Sequence, residues 1–143
     1  VGEGLKPIQK VASGGELARI MLALKTVLSE TDQISTLIFD EVDAGVSGRA
    51  AQKVAEKMGR LAEKRQILCV THLAQIAAMA DLHFSVQKGE RAGRTHTVVT
   101  QLPRQERVME LSRLTGGTHL SEAIVQGAEE LLRQAEQYKN NEA

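Results

Sequence analysis

The 143-residue sequence predicts an α/β fold in which a mainly parallel sheet is covered by helices and followed by a C-terminal hairpin and more helices. Three observations carry this. Two short β-prone runs, residues 36–39 and 66–70, are separated by an amphipathic stretch of helical length, which is the spacing a parallel βαβ crossover needs. A helical apolar period precedes the first run. Two alternating segments and two further amphipathic stretches follow the second.

Taken in order, residues 1–12 hold Gly2, Gly4 and Pro7 among few periodic apolar positions and read as an incoming loop or edge segment. From Ser13 the pattern turns helical, with Leu17, Ile20, Met21, Leu24, Val27 and Leu28 at helical spacing. Ser13 and Glu16 have the spacing of a capping box, so a helix of about four turns is expected. Thr36 to Phe39 reads as a buried strand that ends in Asp40, Glu41 and Asp43. Ser47 is expected to cap the next helix, whose apolar stripe is Ala50, Ala51, Val54, Ala55, Met58, Leu61 and Ala62. Residues 66–70 form a second buried strand, and 73–79 a short helix. Residues 82–88 and 94–102 alternate as a hairpin joined across Gly89 to Gly93. Pro103 starts a helix that Gly116 and Gly117 break. A last helix, 121–138, turns Ala123, Ile124, Ala128, Leu131, Leu132 and Ala135 inward.

Length and composition bound the function. The chain fits a single domain, 1–143. Eighteen Lys plus Arg balance eighteen Asp plus Glu, so bulk charge gives no non-specific grip on DNA or a membrane. Phe39, Phe84 and Tyr138 are the only aromatics, which excludes a stacking platform for single-stranded nucleic acid and leaves the core to Ala, Leu, Ile, Val and Met. The lone Cys69 excludes an intrachain disulfide framework and a Cys-rich zinc site, and reads as a small core residue in a cytoplasmic protein. No apolar run is long enough to span a bilayer, so no membrane partner is expected. A start at Val1 suggests a fragment of something longer.

Three stretches could carry chemistry. Ser13-Gly14-Gly15-Glu16 opens a helix, where unpaired N–H groups and the helix dipole favour an anion, and glycines let a phosphate approach; the alternative is a plain N-cap. Asp40-Glu41 after an apolar strand suits phosphoryl transfer, Asp40 on the metal side and Glu41 as base; the alternative is a pair of solvated acids. His72 after the second strand can donate to a phosphate oxygen, or be an ordinary loop residue. Between Gln87 and Arg113, Lys88, Arg91, Arg94, Arg104, Arg107 and Arg113 outnumber Glu90, Glu106 and Glu110, either a faint DNA-contacting patch or a solvated surface.

The order of these stretches resembles the ATP-binding head of the ABC and SMC superfamily. Ala12 to Glu16 matches the signature motif, Leu37 to Glu41 the Walker B strand, Val42 to Gly45 the D-loop, and Thr71-His72 the switch histidine. Within the superfamily the stretches look most like those of a bacterial SMC-like DNA repair ATPase, over essentially the whole chain. The resemblance implies ATP held between two heads of a homodimer, with Ser13, Gly14, Gly15 and Glu16 at the partner's nucleotide. It implies Mg²⁺ held with the help of Asp40, water polarised by Glu41, a link between sites at Asp43, and a γ-phosphate read by His72. It further implies double-stranded DNA or DNA ends as partner, in the bacterial cytoplasm on the nucleoid. No Gly-Lys dipeptide occurs, so the Walker A loop is missing from these residues. The resemblance puts it in an N-terminal lobe of the same protein, without which this chain should hydrolyse little ATP. Two rivals remain: a transporter nucleotide-binding domain, against which Glu16 in place of the usual glutamine counts, and a non-hydrolysing interaction module of the same fold.

Overall fold

Ser13 starts the first helix as a Ser-x-x-Glu sequence should. Its Oγ accepts the Glu16 N–H at 3.3 Å, and the Glu16 carboxylate accepts the Ser13 N–H at 2.8 Å. Helix α1 (Gly14–Val27) follows, after a 3₁₀ turn at Ile8–Lys10 inside the segment expected to be loop. The computed structural model describes residues 6–31, 33–91 and 94–142. They fall into two units, Val1–Thr71 and His72–Ala143.

The first unit contains α1, β1 (Thr36–Phe39), α2 (Gly48–Ala62) and β2 (Gln66–Cys69). β1 and β2 pair in parallel, Thr36 beside Gln66 and Phe39 beside Cys69, so the βαβ spacing holds. Helix α2 packs against α1 and β2, burying Ala51, Ala55, Met58 and Leu61 at spacings of three and four. Ser47 stands at its N-cap with an extended backbone, but its side chain makes no capping bond.

Burial corrects two expectations here. In α1 only Gly15 and Leu22 are buried, while Ile20, Met21, Leu24 and Val27, and Leu28 just past its end, are exposed, Val27 at 81%. The period is helical, yet the apolar stripe has no cover among the described residues. In β1, Leu37 and Phe39 are buried but Ile38 is 72% exposed, and Leu68 and Val70 are exposed beside it. These strands are therefore covered on one face and open on the other, although their side chains are apolar on both, the pattern of a strand buried on both sides.

The second unit holds α3 (Ala74–Met79), β3 (Phe84–Arg91), β4 (Arg94–Gln101), α4 (Arg104–Gly116) and α5 (Glu122–Glu142). The expected hairpin is present as an antiparallel pair in register from Phe84–Gln101 to Arg91–Arg94. β3 starts two residues later than expected, and residues 89–91 continue the strand. Ala92 and Gly93, the rest of the expected connection, lie outside the described residues. The sheet is thus not mainly parallel among the described residues. Two four-residue strands pair in parallel and two eight-residue strands pair antiparallel, in separate sheets. A further parallel strand needs another crossover unit, which the described residues do not contain.

Helices α3, α4 and α5 pack on one another around Ile76, Val108, Leu111, Ala128, Leu132 and Ala135. Alanine at the centre lets helices approach closely where aromatics are scarce; Ala123, expected inward, is exposed. Gly117, with φ +68, ends α4 as the Gly-Gly pair predicts. Arg107 reaches from α4 to the carbonyls of Ala78 (3.4 Å), Ala80 (2.7 Å) and Asp81 (3.4 Å), capping the end of α3. Among the described residues no helix is long and apolar enough to cross a membrane.

Candidate functional site

β1 delivers its acids at its C-terminal end. Asp40 and Glu41 are exposed, and the Asp40 Oδ1 accepts the Glu41 N–H at 2.9 Å, leaving Asp40's other oxygen for a ligand. The Glu41 backbone sits in the left-handed region with φ +56. For a residue with a Cβ this costs on the order of 1 kcal/mol and persists only where the surroundings impose it.

Those surroundings are well defined. The Ala44 N–H donates to the Glu41 carbonyl at 3.0 Å, and the Val46 N–H to the Asp43 carbonyl at 3.3 Å. Val42 is fully buried and Asp43 is 4% exposed. The Thr71 hydroxyl donates to Asp43 Oδ2 at 2.6 Å, anchoring this carboxylate just beyond β2. Burial, with the charges of Asp43 and then Asp40, pushes the half-buried Cys69 thiol up to about 12, so it stays protonated and inert.

The start of α1 packs directly on this acidic turn. A Cβ on Gly15 would lie 2.8 Å from the Ala44 Cβ and 2.9 Å from the Glu41 carbonyl oxygen. A Cβ on Gly14 would lie 2.7 Å from Glu41 Oε2, so the Glu41 carboxylate rests over Gly14. Arg19 Nη1, one turn further on, donates to the carbonyls of Val42 at 3.2 Å and Ala44 at 2.7 Å. An open cleft of about 510 Å³ lined by Val11, Ala12, Glu16, Arg19, Ile20 and Ala23 lies along the same helix.

Of the residues the sequence singled out, Ser13, Gly14, Gly15, Glu16, Asp40, Glu41 and Asp43 come together within the first unit. Glu16 turns its carboxylate onto Ser13, whose N–H and then hydroxyl hold it below the ordinary glutamate range, so Glu16 shapes the turn. His72 is exposed and opens the second unit directly after Thr71. The two glycines have a use the sequence reading missed: they admit residues 41–44, besides any phosphate. Arg19 was missed as well, although Gly15, Arg19 and Leu22 at i, i+4 and i+7 mark one helix face.

Three of the six basic residues between Gln87 and Arg113 are spent internally. Arg104 pairs with Glu136, Arg113 with Glu110 at 2.9 Å, and Arg107 with backbone carbonyls. Lys88 and Arg94 remain exposed on the hairpin. Among the described residues no three His, Cys, Asp or Glu side chains gather to hold a metal. A single exposed carboxylate at a strand end fits an ion that takes most of its ligands from phosphate and water, as Mg²⁺ does.

The chain is similar to known proteins in fold and in sequence. A solved chain from work on the structural biochemistry of ATP-driven dimerization and DNA stimulated activation of SMC ATPases matches with a TM-score of 0.50 and 25% identity, over 78% of this chain and 68% of that one. The fold is therefore of the SMC ATPase type. No protein-family model matches. The DNA repair protein RecN of Bacillus subtilis is 49% identical over 96% of this chain, that of Deinococcus radiodurans 51% over 92%, and that of Treponema pallidum 45% over 99%. The chain covers only 24%, 23% and 25% of those proteins, about a quarter of their length. Its sequence is RecN-like, corresponding to their C-terminal part.

Proposed function

We propose that these residues form the C-terminal lobe of the ATPase head of a RecN-like, SMC-type protein acting in bacterial DNA double-strand break repair, where ATP joins two heads and hydrolysis releases them. The observation that carries this reading is the packing of the Ser13–Glu16 turn on residues 41–44, in a chain whose relatives are DNA repair proteins. Those relatives also favour repair over the transporter alternative.

The chemistry follows from each residue's place. The α1 N-terminus offers a partial positive charge and the N–H groups of Gly14 and Gly15, beside a Ser13 whose own N–H is held by Glu16, and this end of the helix would receive the γ-phosphate of a nucleotide on a second head. That phosphate distinguishes ATP from ADP, which makes head pairing nucleotide-dependent. Mg²⁺ would neutralise phosphate charge, with Asp40 as this chain's ligand. Glu41 accepts the proton of the attacking water and orients it for in-line attack. Asp43, fixed by Thr71, ties the acidic turn to β2, and His72 donates a hydrogen bond to the γ-phosphate.

The rest of the head is assigned to an N-terminal segment of the same polypeptide bearing the Walker A loop. The uncovered stripe of α1 and the open face of β1 and β2 support this assignment, because apolar surfaces of this kind are buried in a complete domain. Double-stranded DNA or DNA ends are the proposed partner, and the bacterial cytoplasm, on the nucleoid, the location.

The test is Glu41→Gln in the full-length protein. It should bind ATP, accumulate as a nucleotide-bound dimer in size-exclusion chromatography and hydrolyse slowly. Hydrolysis at the parental rate would remove Glu41 from the role of base.

A further inference from the structure

We infer that Arg19 is a positioning residue for hydrolysis: by gripping the backbone of residues 42–44 it fixes the direction in which Glu41 presents its carboxylate. This rests on the reading of Glu41 as the base. The first observation is the left-handed Glu41 backbone at φ +56, a conformation that relaxes toward the ordinary α or β region unless its neighbours hold it. The second is what holds it. On one side the Glu41 N–H is bound to Asp40 Oδ1, and on the other its carbonyl accepts the Ala44 N–H. Both bonds are local and could move together as a unit.

Thr71 and Arg19 both tie this turn to the rest of the unit. Thr71 fixes the Asp43 side chain from the end of β2. Arg19 fixes the main chain from α1, with one nitrogen donating to both the Val42 and Ala44 carbonyls across 23 and 25 residues of sequence. Nη1 carries two hydrogens, one for each carbonyl, and the guanidinium plane sets their directions. Such charge-assisted bonds are stronger than neutral ones. Arg19 donates to backbone carbonyls beside Glu41, so its influence runs through the base. Gly14 and Gly15 complete the arrangement, since the Glu41 carboxylate and carbonyl lie where their Cβ atoms would be. Arg19 thus joins the turn proposed to reach one nucleotide to the acids proposed to act on another.

Removing the guanidinium frees residues 42–44 and lets Glu41 relax. A displacement on the order of 1 Å at a reacting group can cost up to about a hundredfold in rate. The experiment measures steady-state ATP hydrolysis by the full-length protein for Arg19→Ala, Arg19→Lys, Glu41→Gln and the double variants that combine Glu41→Gln with Arg19→Ala or with Arg19→Lys. Arg19→Ala should lower kcat about ten- to a hundredfold with KM changed by less than about twofold, and Arg19→Lys should recover part of the loss. In the Glu41→Gln background, Arg19→Ala should change the residual rate by less than about twofold, because the two residues act as one unit.

A parental kcat for Arg19→Ala, a raised KM with kcat unchanged, or losses that multiply in the double variant would overturn the inference. If Arg19→Ala loses ATP binding through misfolding, Arg19→Lys in the same cycle must show the same non-additivity or the inference fails. Parental turnover by Glu41→Gln alone would instead overturn the reading of Glu41 as base, separating the two failures.

Discussion

Gly15→Ala puts the packing of α1 on the acidic turn to a direct test. The new Cβ would stand 2.8 Å from the Ala44 Cβ, 2.9 Å from the Glu41 carbonyl oxygen and 3.0 Å from the Ala44 carbonyl oxygen. Two of these three are backbone atoms, so the helix or residues 41–44 must shift, at the usual overpacking cost of about 1–3 kcal/mol. Against this, alanine is a better helix former than glycine by about 0.5–1 kcal/mol. The net is a loss of up to about 2.5 kcal/mol, local to the first unit.

Gly127, inside α5 with open space around its Cβ position, supplies the opposite case. Gly127→Ala keeps the propensity gain alone and should stabilise its helix by about 0.5–1 kcal/mol. Gly14→Ala meets the end of the Glu41 side chain, which can swing aside, so it should change stability little while displacing the carboxylate. Hydrogen exchange by mass spectrometry on the full-length protein reads all three locally. Peptides spanning 13–28 and 37–46 should exchange about tenfold faster in Gly15→Ala for each 1.4 kcal/mol lost, and peptides across α5 more slowly in Gly127→Ala. Slower exchange in Gly15→Ala would refute the close approach of α1 to residues 41–44.

The second unit should carry its own acid sensitivity. Burial, then the nearby Arg107 charge, lowers the pKa of His83, so the fold favours its neutral form. The unfolded chain then binds the proton more readily, so stability from His83 is complete above the ordinary histidine value near 6.5 and falls as pH drops from there through the folded value. His83→Gln should flatten that part of the pH dependence in α4 and β3 peptides; an unchanged profile would assign it to other groups. The 143-residue chain alone should show no saturable ATP turnover, because it has no Gly-Lys phosphate loop. Measurable turnover proportional to its concentration would show that a complete site lies within these residues.

Much of this was legible in the sequence because local rules govern it. Ser13 and Glu16 form the capping box their spacing specifies, and the 36–39 and 66–70 runs pair in parallel as a helix-length separation requires. Gly116-Gly117 ends α4. The misses came from packing, which periodicity does not encode. The stripe of Ile20, Leu24 and Val27 announces a helix but not whether these residues cover it. Ile38 and Leu68 are apolar on a face left open. For the site, the acids and the Ser-Gly-Gly turn stood out by residue type, whereas the left-handed Glu41 and the Arg19 bridge arise from chain segments more than twenty residues apart. A glycine reads the same whether it admits a phosphate or a neighbouring carbonyl. Only the Ala44 and Glu41 distances tell them apart.

The most direct test is the structure of the full-length protein trapped with a non-hydrolysable ATP analogue. The γ-phosphate should lie within hydrogen-bonding distance of Ser13, Gly14 or Gly15 of one protomer, with Asp40 and Glu41 of the other flanking it and a water between Glu41 and the phosphorus. A nucleotide bound far from both the Ser-Gly-Gly turn and the paired acids would contradict this arrangement.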